Sequence, residues 1–476
     1  TRQVDAIHTA NKTGVDIIWG AQTHSKHARL GRPRRLKTRR GTLYILRKNK
    51  ERTMKKNGRI VGGGGREHAI AYALAKSPEV GKLYCVPGNA GIASLAECHG
   101  EIKATDIDGV IGFVRSHPDI YMTVVAPDDP LAAGMVDRLE KEGMRAFGPR
   151  AAAARLEASK SFAKDFMKKY NIPTAEYETF SDYAAAEEYL GKCGYPVVVK
   201  ADGLALGKGV LICEDRAAAE AALKEIMLDK AFGSAGNTVV IERFLRGFEC
   251  SALAFCDGKV IVPMTTSQDH KRALDGNKGL NTGGMGTFSP SYRVTPETEK
   301  RIYDEVLLPT LNGLIAEGIE FKGVLYAGLM IDGDDIRVLE YNARFGDPET
   351  QVILPRLATD LFDIFEACID GTLSDVRIEW SAGSAVCVVL ASGGYPEKYE
   401  KGKKITFGKL DDDVIVFHAG TAFDKDGNYI TNGGRVLGVT ALAPTLKEAR
   451  DKAYDSARRI TFDKVHFRTD ILKELG

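Results

Sequence analysis

The sequence predicts an α/β protein of several domains, and three observations predict it. From Arg59 onward, short apolar stretches alternate with helix-like segments at the pitch of a parallel sheet. The first two of these stretches run into glycine-rich turns, at 62–65 and 87–91, where open sheets place their ligands. The 476 residues, 44% hydrophobic and 27% charged, suffice for two to four domains with buried cores. That composition excludes a disordered, collagenous or disulfide-scaffold chain. No apolar run approaches the ~18 residues of a membrane span.

Taken in order, Arg59–Val61 reads as a short strand, Arg66–Lys76 as a helix and Lys82–Val86 as the next strand. Tyr121–Ala126 is a third strand, followed by Pro127-Asp128-Asp129-Pro130 and a helix through Glu142. Ala151–Tyr170 reads as one helix, stopped by Asn171-Ile172-Pro173. Strands follow at Tyr195–Lys200, Val210–Cys213 and Thr238–Phe244, with a helix over Ala217–Leu228. Cys250–Val262 looks like a hairpin around Asp257-Gly258, and Val324–Ile331 pairs with Ile336–Tyr341 around Gly333-Asp334-Asp335. Residues 267–290 are polar and glycine-rich, and read as a long functional or mobile loop. Gly383–Ala391 opens a last α/β segment.

The net charge of +2 hides an asymmetry. Residues 1–53 carry 14 Lys and Arg against 3 acids, which leaves the remainder with 52 basic and 61 acidic residues, a net of −9. A body of that sign lacks the basic face of a nucleic-acid binder. The basic segment, with Arg32-Pro33-Arg34-Arg35 at its centre, has three readings: a nucleic-acid-binding arm, a transit peptide, or non-native or disordered sequence ahead of Met54. The third is adopted, and Met54–Gly476 is expected to be the active chain. The eight cysteines form no C-x-x-C pair, which favours free thiols in a reducing, cytoplasmic setting.

Four constellations carry chemistry. Gly62-Gly63-Gly64-Gly65-Arg66-Glu67-His68 can present backbone N–H groups to a phosphate, but it does not complete the dinucleotide fingerprint G-x-G-x-x-G. Lys200 ends an apolar strand and is followed by Gly203, Gly207, Lys208 and Gly209 before a second strand. The spacing fails the Walker count, and a glycine loop between two antiparallel strands can instead fold over a triphosphate. Glu340 and Asn342 alternate on a strand and so share a face; two oxygen ligands at i and i+2 suit Mg²⁺. Arg344 continues that face and can stabilise charge on a transferring phosphoryl group. The strand end at 241–249, with Glu242, Phe244 and Glu249, can hold an adenine and ribose hydroxyls.

These residues resemble the ATP-grasp enzymes and, more narrowly, the phosphoribosylamine–glycine ligase (glycinamide ribonucleotide synthetase) family. The matching text, in the family's order over about 54–476, is GGGGREHA (62–69), PGNAG (87–91), SK-x-F-x-KDF (159–166), VVKADGLALGKGV (198–210), SQDHKR (267–272), NTGGMG (281–286), YAGLMID (326–332), LEYNARFGDPET (339–350), SGGYP (392–396) and NGGRVLGVTAL (432–442). The resemblance implies an N-terminal parallel α/β domain at 54–155 that binds phosphoribosylamine. It further implies an ATP-grasp domain at 156–370 with a small lid at about 175–245, and a C-terminal α/β domain at 371–476 packed beside the N-terminal one. The implied reaction joins glycine to 5-phosphoribosylamine with ATP through an acyl phosphate, a step of purine biosynthesis needing Mg²⁺ or Mn²⁺, in a cytoplasmic monomer without nucleic-acid or membrane partners. No covalent enzyme nucleophile is required, and no Ser/His/Asp or Cys/His constellation is recognisable.

Carried over residue by residue, Lys160 and Lys200 would contact the ATP phosphates under the loop Gly203–Gly209, and Glu242, Phe244 and Glu249 would line the adenosine site. Glu340 and Asn342 would hold the metal, with Arg344 steadying the acyl phosphate. Asp269, His270, Lys271, Asp347 and Glu349 would shape the glycine end, with Asp269, Lys271 and Arg344 as the catalytic set. Gly64, Gly65, Arg66, Asn89 and Asp128 would face phosphoribosylamine, and Arg435 its phosphate.

Three departures stand out. Ala126-Pro127-Asp128 replaces an expected Gly-Pro-Glu, Lys56-Asn57-Gly58 should weaken the first strand, and Gly328 stands where related enzymes often carry a further metal carboxylate. The rival readings are another ATP-grasp ligase or carboxylase of purine metabolism, a nucleic-acid-binding protein acting through its basic arm, and a catalytically silent nucleotide binder. Intact Lys200, Glu340, Asn342 and Arg344 speak against the last.

Overall fold

The structure, a computed structural model, describes residues 55–205 and 209–475. The expectations placed on the basic segment 1–53, on Gly207 and on Lys208 fall outside the described residues.

Five parallel strands open the fold, in the spatial order Glu97–Cys98, Val80–Pro87, Lys56–Gly62, Ile120–Val125, Ala146–Phe147. Ile60, Val61, Val124 and Val125 are buried, as a sheet covered on both faces requires. Lys56-Asn57-Gly58, expected to weaken the first strand, lies within it. Its register slips between residues 56 and 58 against both neighbours, and the slip absorbs the polar residues. Asn57 donates to Asp119 Oδ2 (2.6 Å) and accepts from the Lys82 N–H (2.7 Å), while Lys56 pairs with Glu366 at 2.6 Å.

Two helices expected to be continuous are each broken. The segment after Pro127 forms Asp128–Ala132 and Met135–Lys141, divided at Gly134, whose φ of +80° is a glycine conformation. The helix expected over 151–170 divides into Ala151–Ala158 and Lys160–Lys169. Ser159 is extended (φ −138°, ψ 111°), and its hydroxyl accepts the Phe162 N–H, so it caps the second helix. The break puts Lys160 in the first turn of a new helix.

A four-stranded antiparallel sheet in the order Tyr177–Phe180, Val239–Arg243, Val197–Ala201, Val210–Cys213 carries the helices Tyr183–Leu190 and Arg216–Met227. Its core of Val197, Val199, Leu223, Ile226 and Ile241 is separate from the larger cores. A second antiparallel sheet runs Ile261–Pro263, Phe248–Asp257, Lys322–Asp332, Asp335–Asn342.

The stretch 267–290 is not the long loop that its polarity suggests. It holds a hairpin, Arg272–Leu274 with Lys278–Asn281, and two strands, Gln268–Asp269 and Gly286–Ser289. The latter two join Ser384–Ala391, Arg435–Ala443 and Val414–His418 in one antiparallel sheet. Gly286 makes this approach possible, since a Cβ there would lie 2.0 Å from Ile471 Cδ1 and 2.9 Å from the Cys387 carbonyl. No described helix is long and apolar enough to cross a membrane.

The N-terminal and C-terminal sheets are sewn together at two histidines. The His418 N–H donates to His68 Nδ1 at 2.8 Å, and Asn89 Nδ2 donates to the His418 carbonyl at 2.8 Å. His68 also meets Phe417 edge-on with ring centroids 5.6 Å apart. Burial first, and for His68 the neighbouring His418 second, holds the two rings down to pKa values of about 3 and about 4. The folded state therefore binds fewer protons than the unfolded state below the ordinary value of 6.5. The contribution is complete above pH 6.5 and is lost as pH falls toward 4. At ~1.4 kcal/mol per pKa unit, each histidine costs up to about 2 kcal/mol by about pH 5. Melting temperatures should fall between about pH 7 and about pH 5, and His68→Gln should flatten that slope; an unchanged slope in the variant would show that the seam does not titrate.

Candidate active site

A cavity of about 1370 Å³ opens where these sheets meet. Its floor is a buried charge cluster. Glu242, from the strand Val239–Arg243, forms ion pairs with Lys200 of the adjacent strand and with Lys164 of the helix Lys160–Lys169. All three side chains are 5% exposed or less. Lys164 also donates to Thr174 Oγ1 (2.7 Å) and Lys200 to the Leu339 carbonyl (3.1 Å). Burial lowers Lys164 to a pKa of about 8 against the pull of Glu242. Both oxygens of Glu242 face lysines, and the residue lines the cavity beside Phe244 and Glu249. Lys160 donates to the Gly203 carbonyl at 2.7 Å, and burial lowers its pKa despite nearby Glu340. Asp202 ties this loop to the helix start, accepting from the Ser161 N–H (3.1 Å) and hydroxyl (2.6 Å).

The opposite wall is the strand Asp335–Asn342. Its pairing slips opposite Gly328 and Leu329, so Leu339 is an extra residue and Glu340 lies across from Gly328. Burial opposes the Glu340 charge, but Lys271, Lys200, Lys160 and Arg344 outweigh it and hold the carboxyl at about 2. Asn342 Oδ1 accepts from Arg344 Nη2 at 3.0 Å. Arg344 Nη2 lies 2.7 Å from Glu157 Oε1, and Glu157 Oε2 accepts the Ala343 N–H at 2.8 Å. Burial disfavours the Arg344 cation, yet Glu157 and Asp128 outweigh it and raise its pKa. A carboxylate and an amide oxygen two residues apart suit a hard divalent cation. Among the described residues no three His, Cys, Asp or Glu side chains gather as ligands of one ion, so other oxygens would come from water or substrate phosphate.

Lys271 spans the next part of the wall, 3.4 Å from Glu249 and 3.5 Å from Glu340. Beyond it Glu349 accepts from the Tyr326 hydroxyl at 2.7 Å and from Ser251 at 3.3 Å. Burial, then Glu349, pushes the Asp269 carboxyl well up. Burial also takes His270 down to about 4, and its Nδ1 faces the Gly286 carbonyl at 3.2 Å. Asp347 accepts from Gln351 Nε2 at 2.7 Å and lies 3.5 Å from Arg435 Nη2.

The structure brings the remaining candidates together unevenly. Lys160, Lys200, Gly203, Gly209, Phe244, Glu249, Arg66, Asp128 and Arg435 all line the cavity; Gly64, Gly65 and Asn89 do not. Asn89 has no capacity left for a substrate. Its Nδ2 donates to the carbonyls of Gly63 (2.9 Å) and His418 (2.8 Å), and its Oδ1 accepts the N–H groups of Gly91 and Ile92. The Gly64 N–H is taken by Glu67 Oε2 at 2.6 Å, in a capping box. Arg435 commits Nη1 to the carbonyls of Gly283 (2.6 Å) and Asp347 (2.7 Å), so only part of its guanidinium could meet a phosphate.

Sequence reasoning overlooked Glu157, Lys164, Asp202 and Tyr326. Lys164 had a signal: it lies four residues after Lys160, on the same helix face. Glu157 was hidden because an unbroken helix gives it no special direction.

A small two-helix sheet set against an antiparallel sheet, with lysines on one wall and Glu-x-Asn on the other, defines an ATP-grasp enzyme. Family models match over nearly the whole described chain: Phosphoribosylglycinamide synthetase N domain (57–157), ATP-grasp (A) domain (158–350) and C domain (385–474). The chain belongs to the phosphoribosylamine–glycine ligase family. It is 50% identical to the phosphoribosylamine–glycine ligase of Neisseria meningitidis serogroup A over 414 residues, 87% of this chain and 97% of that one. It is 48% identical to that of Ralstonia nicotianae, with 87% and 97% covered. The crystal structure of the Thermotoga maritima phosphoribosylamine–glycine ligase superposes with a TM-score of 0.75 at 37% identity, covering 87% of this chain and all (100%) of that one. The Campylobacter jejuni biotin carboxylase shares the fold alone (TM-score 0.67, 14% identity, 87% and 93% covered).

Removing Glu242 leaves two lysines buried without their anion, a change of about 3–5 kcal/mol. Glu242→Ala should therefore lower unfolding stability by that order in denaturant titrations. A loss below about 1 kcal/mol would mean that the lysines find water or another partner.

Proposed function

We propose that the chain joins glycine to 5-phosphoribosylamine at the expense of ATP, giving glycinamide ribonucleotide, ADP and phosphate. The observation that carries this reading is the convergence of Lys160, Lys164, Lys200, Lys271 and Arg344 on one cavity beside Glu340 and Asn342. A carboxylate is a poor acyl donor, so the γ-phosphoryl group passes to the glycine carboxylate. The amine of phosphoribosylamine then attacks the carbonyl carbon, the C–O bond to phosphate breaks, and the amine gives up a proton. Such a sequence asks the protein for positioning and charge neutralisation.

In this reading Lys160 and Lys200 bind the ATP phosphates, and Lys164 acts with Glu242 beneath them. Phe244 and Glu249 lie toward the nucleoside, and Gly203 and Gly209 lie toward the phosphates. Mg²⁺ or Mn²⁺ held by Glu340 and Asn342 would neutralise phosphate charge. Arg344 steadies the acyl phosphate; Asp269, His270, Lys271, Asp347 and Glu349 hold the glycine end; Arg66, Asp128 and the free part of Arg435 face phosphoribosylamine. The eight thiols are all unpaired, which supports a reducing, cytoplasmic location. We read the enzyme as a monomer.

The test is phosphate release by the purified chain with ATP and Mg²⁺, with glycine and freshly generated phosphoribosylamine supplied together and each then omitted. Release that needs both is expected. Release with a different carboxylate–amine pair would replace this reading by another ATP-grasp ligase. Glu340→Ala should lower turnover by about 100-fold or more while leaving the melting temperature unchanged; unaltered turnover would overturn the metal assignment.

A further inference from the structure

Glu157 lies in the last turn of the helix Ala151–Ala158, two residues before the break at Ser159 gives way to Lys160–Lys169, and the mechanism above assigns it nothing. Its side chain is 8% exposed, and that of Arg344 17%. One carboxylate oxygen lies 2.7 Å from Arg344 Nη2, and the other accepts the N–H of Ala343, the residue before Arg344, at 2.8 Å. One side chain thus grips both the guanidinium and the backbone that carries it. Two further acceptors complete the hold: Asn342 Oδ1 on Nη2 at 3.0 Å and the Phe345 carbonyl on Nη1 at 3.2 Å. Arg344 Nε is buried with no protein partner.

A guanidinium that meets no anion until substrate arrives is drawn to whichever carboxylate is near. Glu340, a proposed metal ligand, lies on the strand that leads into Arg344, and Asp128 lines the same cavity from the helix Asp128–Ala132. We infer that Glu157 is a positioning residue for phosphoryl transfer: it fixes the plane of Arg344 in advance and keeps that cation off the metal-binding carboxylate. Preorganised charge of this kind acts in the transition state more than in substrate binding. The break at Ser159 is part of the device, since it lets one segment deliver Glu157 to Arg344 and Lys160 to the cavity. The inference rests on the proposed ligase activity, which the omission of each substrate from wild type tests separately.

The experiment is a double-mutant cycle on steady-state phosphate release, with wild type, Glu157→Gln, Arg344→Lys and the double variant. Glu157→Gln should lower kcat about 30-fold, with KM for ATP within about 2-fold. In the Arg344→Lys background the same change should cost less than about 3-fold, because the guanidinium plane it serves has gone. Glu157→Asp should restore part of kcat, and it carries the same cycle should the glutamine variant fail to fold. Equal costs in both backgrounds would overturn the inference and leave Glu157 a structural tie. A rise in KM for ATP with kcat unchanged would overturn it as well. A wild type that releases phosphate without either substrate would instead count against the ligase reading.

Discussion

Lys160, Lys164, Lys200, Lys271 and Arg344 share one cavity, and no folded chain could bring five cations into poorly solvated space without anions between them. Glu242 sits between Lys164 and Lys200, Glu249 and Glu340 flank Lys271, and Glu157 holds Arg344. The pairing is graded. Glu242 and its lysines are almost withdrawn from water, whereas Lys271 lies 3.4–3.5 Å from partners that are a third or more exposed. Lys160 forms no ion pair among the described residues and rests on the Gly203 carbonyl. The deep pairs secure the fold, and the loose ones are those an incoming polyanion or metal could rearrange at little cost.

That gradation explains which parts of the site were legible in the sequence. Glu340 and Asn342 could be read because a strand alternates faces and this pair lies within one strand. The Lys200 loop could be read because glycine marks backbone freedom. Glu157 could not, because its role depends on a helix break that costs little and leaves a faint mark. Serine is tolerated within helices, and its extended backbone and capping bond to Phe162 show that a new helix begins there. The stretch 267–290 misled for a related reason. Its glycines mark close approach as well as turns, and Gly286 admits Ile471 and the Cys387 carbonyl where a side chain would collide.

The glycine-rich turn at 62–65 shows the converse. Its composition suits a phosphate, yet much of its hydrogen bonding is turned inward. Glu67 takes the Gly64 N–H, Asn89 takes the Gly63 carbonyl, and a Cβ on Gly63 would lie 2.4 Å from the Gly88 carbonyl. These glycines let two loops of the parallel sheet meet each other and the strand Val414–His418. What the turn presents to the cavity is Arg66, held by Glu67 at 2.7 Å and by the Phe345 carbonyl at 3.2 Å.

The same logic makes the C-terminal segment part of the site and not an appendage. Arg435 begins the strand Arg435–Ala443, and its Nη1 reaches the carbonyls of Gly283 and Asp347 while Nη2 faces the Asp347 carboxylate. The Tyr395 hydroxyl accepts the Gly283 N–H at 3.1 Å, and Gly434 leaves the room that Tyr395 fills, since a Cβ there would lie 2.2 Å from its ring. Gly283 and Asp347 are 64 residues apart in number, and Arg435 is what holds their carbonyls to one guanidinium. The strands Gln268–Asp269 and Gly286–Ser289 then make the C-terminal sheet the support of the very segment that carries Asp269, His270 and Lys271. A central domain cut free of 371–476 would keep its lysines and Glu340, but it would lose the frame that sets the segment of Asp269, His270 and Lys271 against them.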